Sequence, residues 1–188
     1  MLSQQDTGPI QTMIPQAFLD ALPAEGPSPE LTDVDNIFSF LIGSWEIDAL
    51  LYDANGRVQK TKGEVHASWV LEGRAIQDLF IFPGRADRHT GLPAQGDRYA
   101  TTIRTYDRGL KAWRVNFINP AAYETSANLI AQRQGDGIEM EGRLADGTPI
   151  RWRYEKITPT SFNYSAEKMR SSDGSWQPYL ELFGKRIV

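Results

Sequence analysis

The chain has 188 residues, of which 40% are hydrophobic, 11% aromatic and 23% charged, and its net charge is −4. That length suits one core, since single domains typically hold about 100–200 residues, and the acidic balance offers no basic field for nucleic acid. The absence of cysteine excludes disulfides, thiolate metal sites, iron–sulfur clusters and cysteine nucleophiles.

The average charge hides a division. Residues 1–43 hold six acids (Asp6, Asp20, Glu25, Glu30, Asp33 and Asp35) and no Lys or Arg, a net of −6. The remainder carries all 20 basic residues and 18 acids, a net of +2, and all five tryptophans. The start, Met1-Leu2-Ser3-Gln4-Gln5-Asp6, has no basic segment followed by an apolar one, so no signal peptide is expected. Apolar runs such as Leu79-Phe80-Ile81-Phe82 fall far short of the roughly 20 residues of a membrane helix. A soluble, cytoplasmic protein is the resulting expectation.

Residues 1–34 read as an acidic arm with five of the 11 prolines, and residues 35–188 as the folded domain. Within the arm, Ala17–Leu22 predicts a short helix with Phe18, Leu19 and Leu22 on one face, suited to docking on the body. Asp33 or Asp35 is placed to N-cap a second short helix through Ile37, Phe38, Phe40 and Leu41, which Gly43 ends. Strand patterns then follow one another: 44–52, 57–71, 74–82, 98–106, 112–119, 126–133, 138–144, 150–157, 161–169 and 179–187. Turn signals separate them, among them Asn55-Gly56, Asp107-Arg108-Gly109, Gly135-Asp136-Gly137 and Asp146-Gly147. About ten short strands without helices between them predict an all-β, antiparallel barrel or sandwich. Both residue sets of 65–71, 74–82 and 112–119 mix apolar and polar groups, which fits a partly polar cavity.

The segment Phe38-Ser39-Phe40-Leu41-Ile42-Gly43-Ser44-Trp45 resembles the start of a calycin-type barrel, with a short helix and a Gly-x-Trp element closing one end. Trp45 then plugs the floor with a large flat side chain. Further matches are Trp69-Val70-Leu71-Glu72-Gly73-Arg74-Ala75-Ile76-Gln77-Asp78, Thr102–Asp107, Ser172–Trp176 and Gly184–Ile187. Together they resemble a bacterial family of lipocalin-like proteins, the domain-of-unknown-function 1579 type, from about Phe38 to Val188. The resemblance implies a calycin or lipocalin-like β-barrel of about ten strands, preceded by a closing helix and an arm, and no particular reaction. Nitrobindin-like haem proteins share the opening but need an axial histidine on a late strand. This chain has only His66 and His89, so no haem, other cofactor or metal is expected.

His66 has Glu64 and Ser68 as same-face neighbours and is the candidate acid–base, with Tyr123 as a catalytic partner. A surface or structural histidine is the competing reading. Arginine outnumbers lysine 14 to 6, and Arg104, between Thr102 and Tyr106, is the first candidate to anchor an anion. Gln77, Trp69, Trp113, Asn119, Tyr164 and Glu181 complete the candidate ligand-binding set, and core packing or turn chemistry explains each of them as well. The leading expectation is a barrel binding a small, largely apolar ligand with an acidic or phenolic group. A cofactor-free isomerase, cyclase or lyase using His66 is the second. An assembly module, its arm joining a homodimer, is the third; no membrane or nucleic-acid partner is expected.

Overall fold

The computed structural model describes residues 15–88, 97–120 and 124–187. After a short helix α1 (Gln16–Ala21) and a two-residue strand β1 (Pro23–Ala24) come ten longer strands. These are β2 (Gly43–Tyr52), β3 (Val58–Val70), β4 (Ala75–Phe82), β5 (Arg98–Asp107) and β6 (Ala112–Asn119), followed by β7 (Glu124–Gln134), β8 (Gly137–Arg143), β9 (Pro149–Glu155), β10 (Ser161–Met169) and β11 (Trp176–Arg186). Each pairs antiparallel with its neighbour in sequence, and β11 returns to pair with β2 from Leu180↔Leu51 to Arg186↔Trp45. The sheet therefore closes on itself as a ten-stranded up-and-down barrel, the expected all-β calycin-like architecture. No described helix is long and apolar enough to cross a membrane.

Alternation along the strands decides the two faces. Trp45, Ile47 and Ala49 on β2 and Val65, Ala67 and Trp69 on β3 are buried and point inward. The lumen set continues with Phe80, Val115, Leu129, Met140, Trp152, Tyr154, Phe162 and Leu182. Gly184 on β11 allows this packing, because a Cβ there would lie 2.5 Å from the Phe162 ring.

One end is plugged, as the Gly-x-Trp element implies. Phe38, Leu41 and Trp45 are wholly buried. The Phe38 ring meets Trp113 edge-on at 5.4 Å, and Trp45 meets Phe162 at 4.8 Å. The Trp45 indole donates to the Leu41 carbonyl (2.8 Å), and the Trp113 indole to the Asp35 carbonyl (2.6 Å). Arg186 lies over the Trp45 ring at 4.2 Å and donates to the carbonyls of Phe40, Ile42 and Pro159. It thereby satisfies the Phe40 and Ile42 carbonyls of the plug segment.

The closing helix is shorter than the sequence predicts, a single 3-10 turn at Ser39–Leu41. Asp35 does not cap it: its carboxylate instead accepts from Thr32 (2.6 Å) and from the Tyr106 hydroxyl (2.6 Å). The arm also attaches differently. Phe18, Leu19 and Leu22 stay exposed, while Pro23 and Ala24 pair with Val70 and Trp69 where β3 runs past the start of β2. Next to this, the Ser28 amide donates to the Gly73 carbonyl (2.9 Å). Gly73 has φ +78°, and a Cβ there would lie 2.3 Å from the Gly26 carbonyl oxygen. Gly73→Ala therefore adds left-handed backbone strain to a backbone clash, and together these cost about 1–3 kcal/mol. We expect limited proteolysis to cut residues 15–34 of that variant faster than wild type; equal cutting would refute the arm attachment described.

Candidate functional site

Inside the barrel, one charged pair interrupts the apolar wall. Asp78 on β4 and Arg104 on β5 are 1% and 2% exposed and joined by a hydrogen-bonded salt bridge. The strand register sets this up, since Asp78 pairs with Thr102 and Ile76 with Arg104, so both side chains share the lumen face. The Thr102 amide donates to Asp78 Oδ1 (3.2 Å), and Arg104 Nη2 reaches toward the Tyr154 hydroxyl at 3.5 Å. The guanidinium lies over the plug residue Phe38 at 5.1 Å. Among the described residues, no group accepts from its buried Nε.

Burial pushes the Asp78 carboxyl up, against the attraction of Arg104. Burial also presses down on Arg104, but the charge of and hydrogen bond to Asp78 help to offset it, so the guanidinium stays protonated. Burial raises the Tyr154 and Tyr164 hydroxyls, which remain neutral phenols. A lone cation in such a place is strongly unfavourable; a neutralised pair is tolerable.

Exposure varies slightly among the lumen side chains. Phe38, Val65, Tyr154 and Leu182 are wholly buried, while Phe80, Trp152, Tyr164 and Leu180 keep 6–7% of their surface reachable. Trp152 donates from its indole to the Tyr179 hydroxyl (2.5 Å) and stacks edge-on against Phe117 at 5.5 Å. Tyr164 sits 5.0 Å from Tyr154, ring to ring.

The residues predicted from sequence divide between two faces. Arg104, Trp69, Trp113, Asn119 and Tyr164 lie on buried lumen-face positions. Trp113 belongs to the plug, through its contact with Phe38 and its bond to Asp35. Gln77 and Glu181 face outward, where Gln77 donates to Thr101 (3.1 Å) and Glu181 accepts from Tyr52. They do not form one polar cluster with Tyr164. Tyr123 and His89 lie outside the described residues.

His66 also faces outward, on the opposite side of β3 from Val65 and Ala67. Its Nδ1 is 2.9 Å from Ser44 Oγ on β2, and its Nε2 is 2.7 Å from Glu64 Oε2. Arg85, in the turn after β4, donates from its amide, Nε and Nη2 to Glu64. These bonds from Arg85, reinforced by its charge and by His66, hold the Glu64 carboxyl down to about 2. Of these partners the sequence reading anticipated Glu64 alone. Asp78 was legible as the one acid in the otherwise apolar set Ile76, Phe80 and Phe82; Ser44 and Arg85 depend on strand pairing and leave no local signal.

No protein-family model and no curated protein matches the chain in sequence. The fold has solved counterparts. Rv2717c from M. tuberculosis superposes with a TM-score of 0.58 at 17% identity, covering 84% of this chain and 99% of that one. The S-type phycobiliprotein lyase CPES from Guillardia theta gives 0.55 at 9% identity, over 84% and 94%. At such identities the likeness is one of fold: the chain is a calycin-like, lipocalin-like barrel.

Two measurements test this geometry. Asp78→Ala strands the Arg104 charge and is expected to cost about 3–5 kcal/mol in chemical denaturation, whereas the apolar pair Asp78→Leu with Arg104→Met costs little. A loss below about 1 kcal/mol in Asp78→Ala would show that the pair is not buried as described. For Glu64, whose carboxyl sits below its ordinary 4.5, the stabilisation is complete above that value and is lost as pH falls through about 2. Glu64→Gln is therefore less stable than wild type at pH 7, with the gap closing between pH 4.5 and 2. A gap that stays constant with pH would rule out the charged clasp.

Proposed function

We propose that this protein binds a small, largely apolar organic molecule with an acidic or phenolic group inside its barrel. The observation that carries the reading is the buried Asp78–Arg104 pair set into a lumen lined by aromatic side chains. Phe80, Trp152 and Leu180 supply apolar burial, at roughly 25 cal/mol per Å² removed from water. Tyr164 and Arg104 offer the polar contacts that orient the ligand. An acidic oxygen arriving there competes with Asp78 for Arg104, and burial already favours the protonated form of Asp78. Ligand charge can thus be accepted by moving one proton onto Asp78.

One structural counterpart is a phycobiliprotein lyase, and this supports a second reading, a cofactor-free isomerase, cyclase or lyase working in the same lumen. Asp78, Tyr154 and Tyr164 place titratable oxygen groups in this lumen, whereas His66 faces away from it. Binding is the reading the geometry supports better.

Native mass spectrometry of protein purified from its own cells should show a retained small molecule. Titration with 2-naphthoate and 2-naphthol should quench tryptophan fluorescence, and Leu180→Trp, which fills the reachable part of the lumen, should weaken both by about tenfold or more. Unchanged binding in that variant would place the ligand elsewhere, and no retained molecule and no quenching would end the reading.

A further inference from the structure

The outward face of β2 and β3 carries a reactive cluster that the lumen does not use. We propose that Ser44, His66 and Glu64 form a nucleophile, base and orienting carboxylate that take acyl groups from small activated esters. Arg85 Nη2 (3.2 Å) and ionised Glu64 (2.7 Å) both approach His66 Nε2. Nη2 donates to Glu64, the closer carboxylate takes the Nε2 proton, and in that tautomer the lone pair of Nδ1 faces Ser44 Oγ at 2.9 Å and accepts its proton. Glu64 holds the ring in that tautomer and balances the imidazolium formed when Ser44 attacks.

The cluster stands on rigid strands. Ser44 pairs directly with His66, and Glu64 lies two residues before His66 on β3. Arg85 grips Glu64 through both carboxylate oxygens, which keeps that side chain from swinging away. The site is reachable, with the His66 side chain 28% exposed. Exposed Ile187, whose amide bonds the Ser44 carbonyl, and exposed Leu79, paired with His66, flank it as an apolar shelf for an acyl chain. Ser68, the other hydroxyl beside His66 on β3, donates to the Trp69 carbonyl and lacks this activation.

In the reaction, Ser44 Oγ bonds to the acyl carbon as its proton passes to His66 Nδ1. The ester C–O bond breaks, and the leaving oxygen takes that proton. Water then attacks the acylated Ser44, giving a proton to His66; the carboxylic acid leaves, and Ser44 Oγ recovers the proton. Attack and proton transfer are the assets of this cluster, so it suits esters with good leaving groups.

The test uses the full chain with a fluorophosphonate probe and p-nitrophenyl acetate, the modified residue being located by peptide mass spectrometry. Wild type is expected to be labelled at Ser44 by the probe and to release p-nitrophenolate. Ser44→Ala should abolish labelling, and His66→Gln should slow it about 100-fold. Ser68→Ala should leave it unchanged. Glu64→Asp, which keeps a carboxylate, should retain a larger share of the rate than Glu64→Gln. No labelling of Ser44 in folded wild type, labelling only at another residue, or an undiminished rate in His66→Gln would each overturn the proposal. The wild-type result decides even where a variant melts early.

Discussion

An arginine in the middle of an apolar barrel must be neutralised where it stands, and this molecule is organised around meeting that demand. Arg104 is neutralised by Asp78 on the adjacent strand, lies over Phe38 of the plug and reaches across the lumen toward Tyr154 on β9. One guanidinium thus ties the wall, the floor and the far side together. Desolvating the pair costs free energy that burial of the surrounding aromatic residues must offset. In return, the pair sets a polar level in a lumen that is otherwise oily.

The plug is the second part of the same solution. A ten-stranded barrel encloses more volume than strand side chains fill alone, so residues 37–45 enter one end and occupy it with Phe38, Leu41 and Trp45. Arg186 and the two indole donors satisfy the backbone carbonyls that this incursion buries. With the floor filled, reachable surface persists beside Phe80, Trp152, Tyr164 and Leu180. The apolar interior is therefore packed wholly at the Phe38, Leu41 and Trp45 plug and slightly less tightly beside those four side chains.

The outer wall follows different rules. Its charges pair across neighbouring strands, as Arg153 does with Glu139 and Arg151 with Glu167, in partly buried contacts linked through Arg153 and Glu167. The cluster of Ser44, His66, Glu64 and Arg85 differs from these because three groups from three chain segments converge on one imidazole. Convergence of that kind on a single ring fixes its orientation.

The amino-acid sequence by itself determined the class of fold, because periodicity and turn residues are local. Strands such as Ala112–Asn119 and Ser161–Met169 coincide with the pattern that announces them, and the Gly-x-Trp segment announces the plug. It also placed Arg104 among the residues of interest, because an arginine flanked by threonine and tyrosine stands out in a strand. Only the tertiary structure decided which face of each strand is the lumen, since period-two alternation gives two sets without saying which is inside. That choice put His66 and Gln77 outside and gave Arg104 to Asp78, residues 26 apart joined by strand register. It also set Ser44 against His66 across 22 residues. Pairing across a closed sheet is a property of the whole ring, and no local run of residues encodes it.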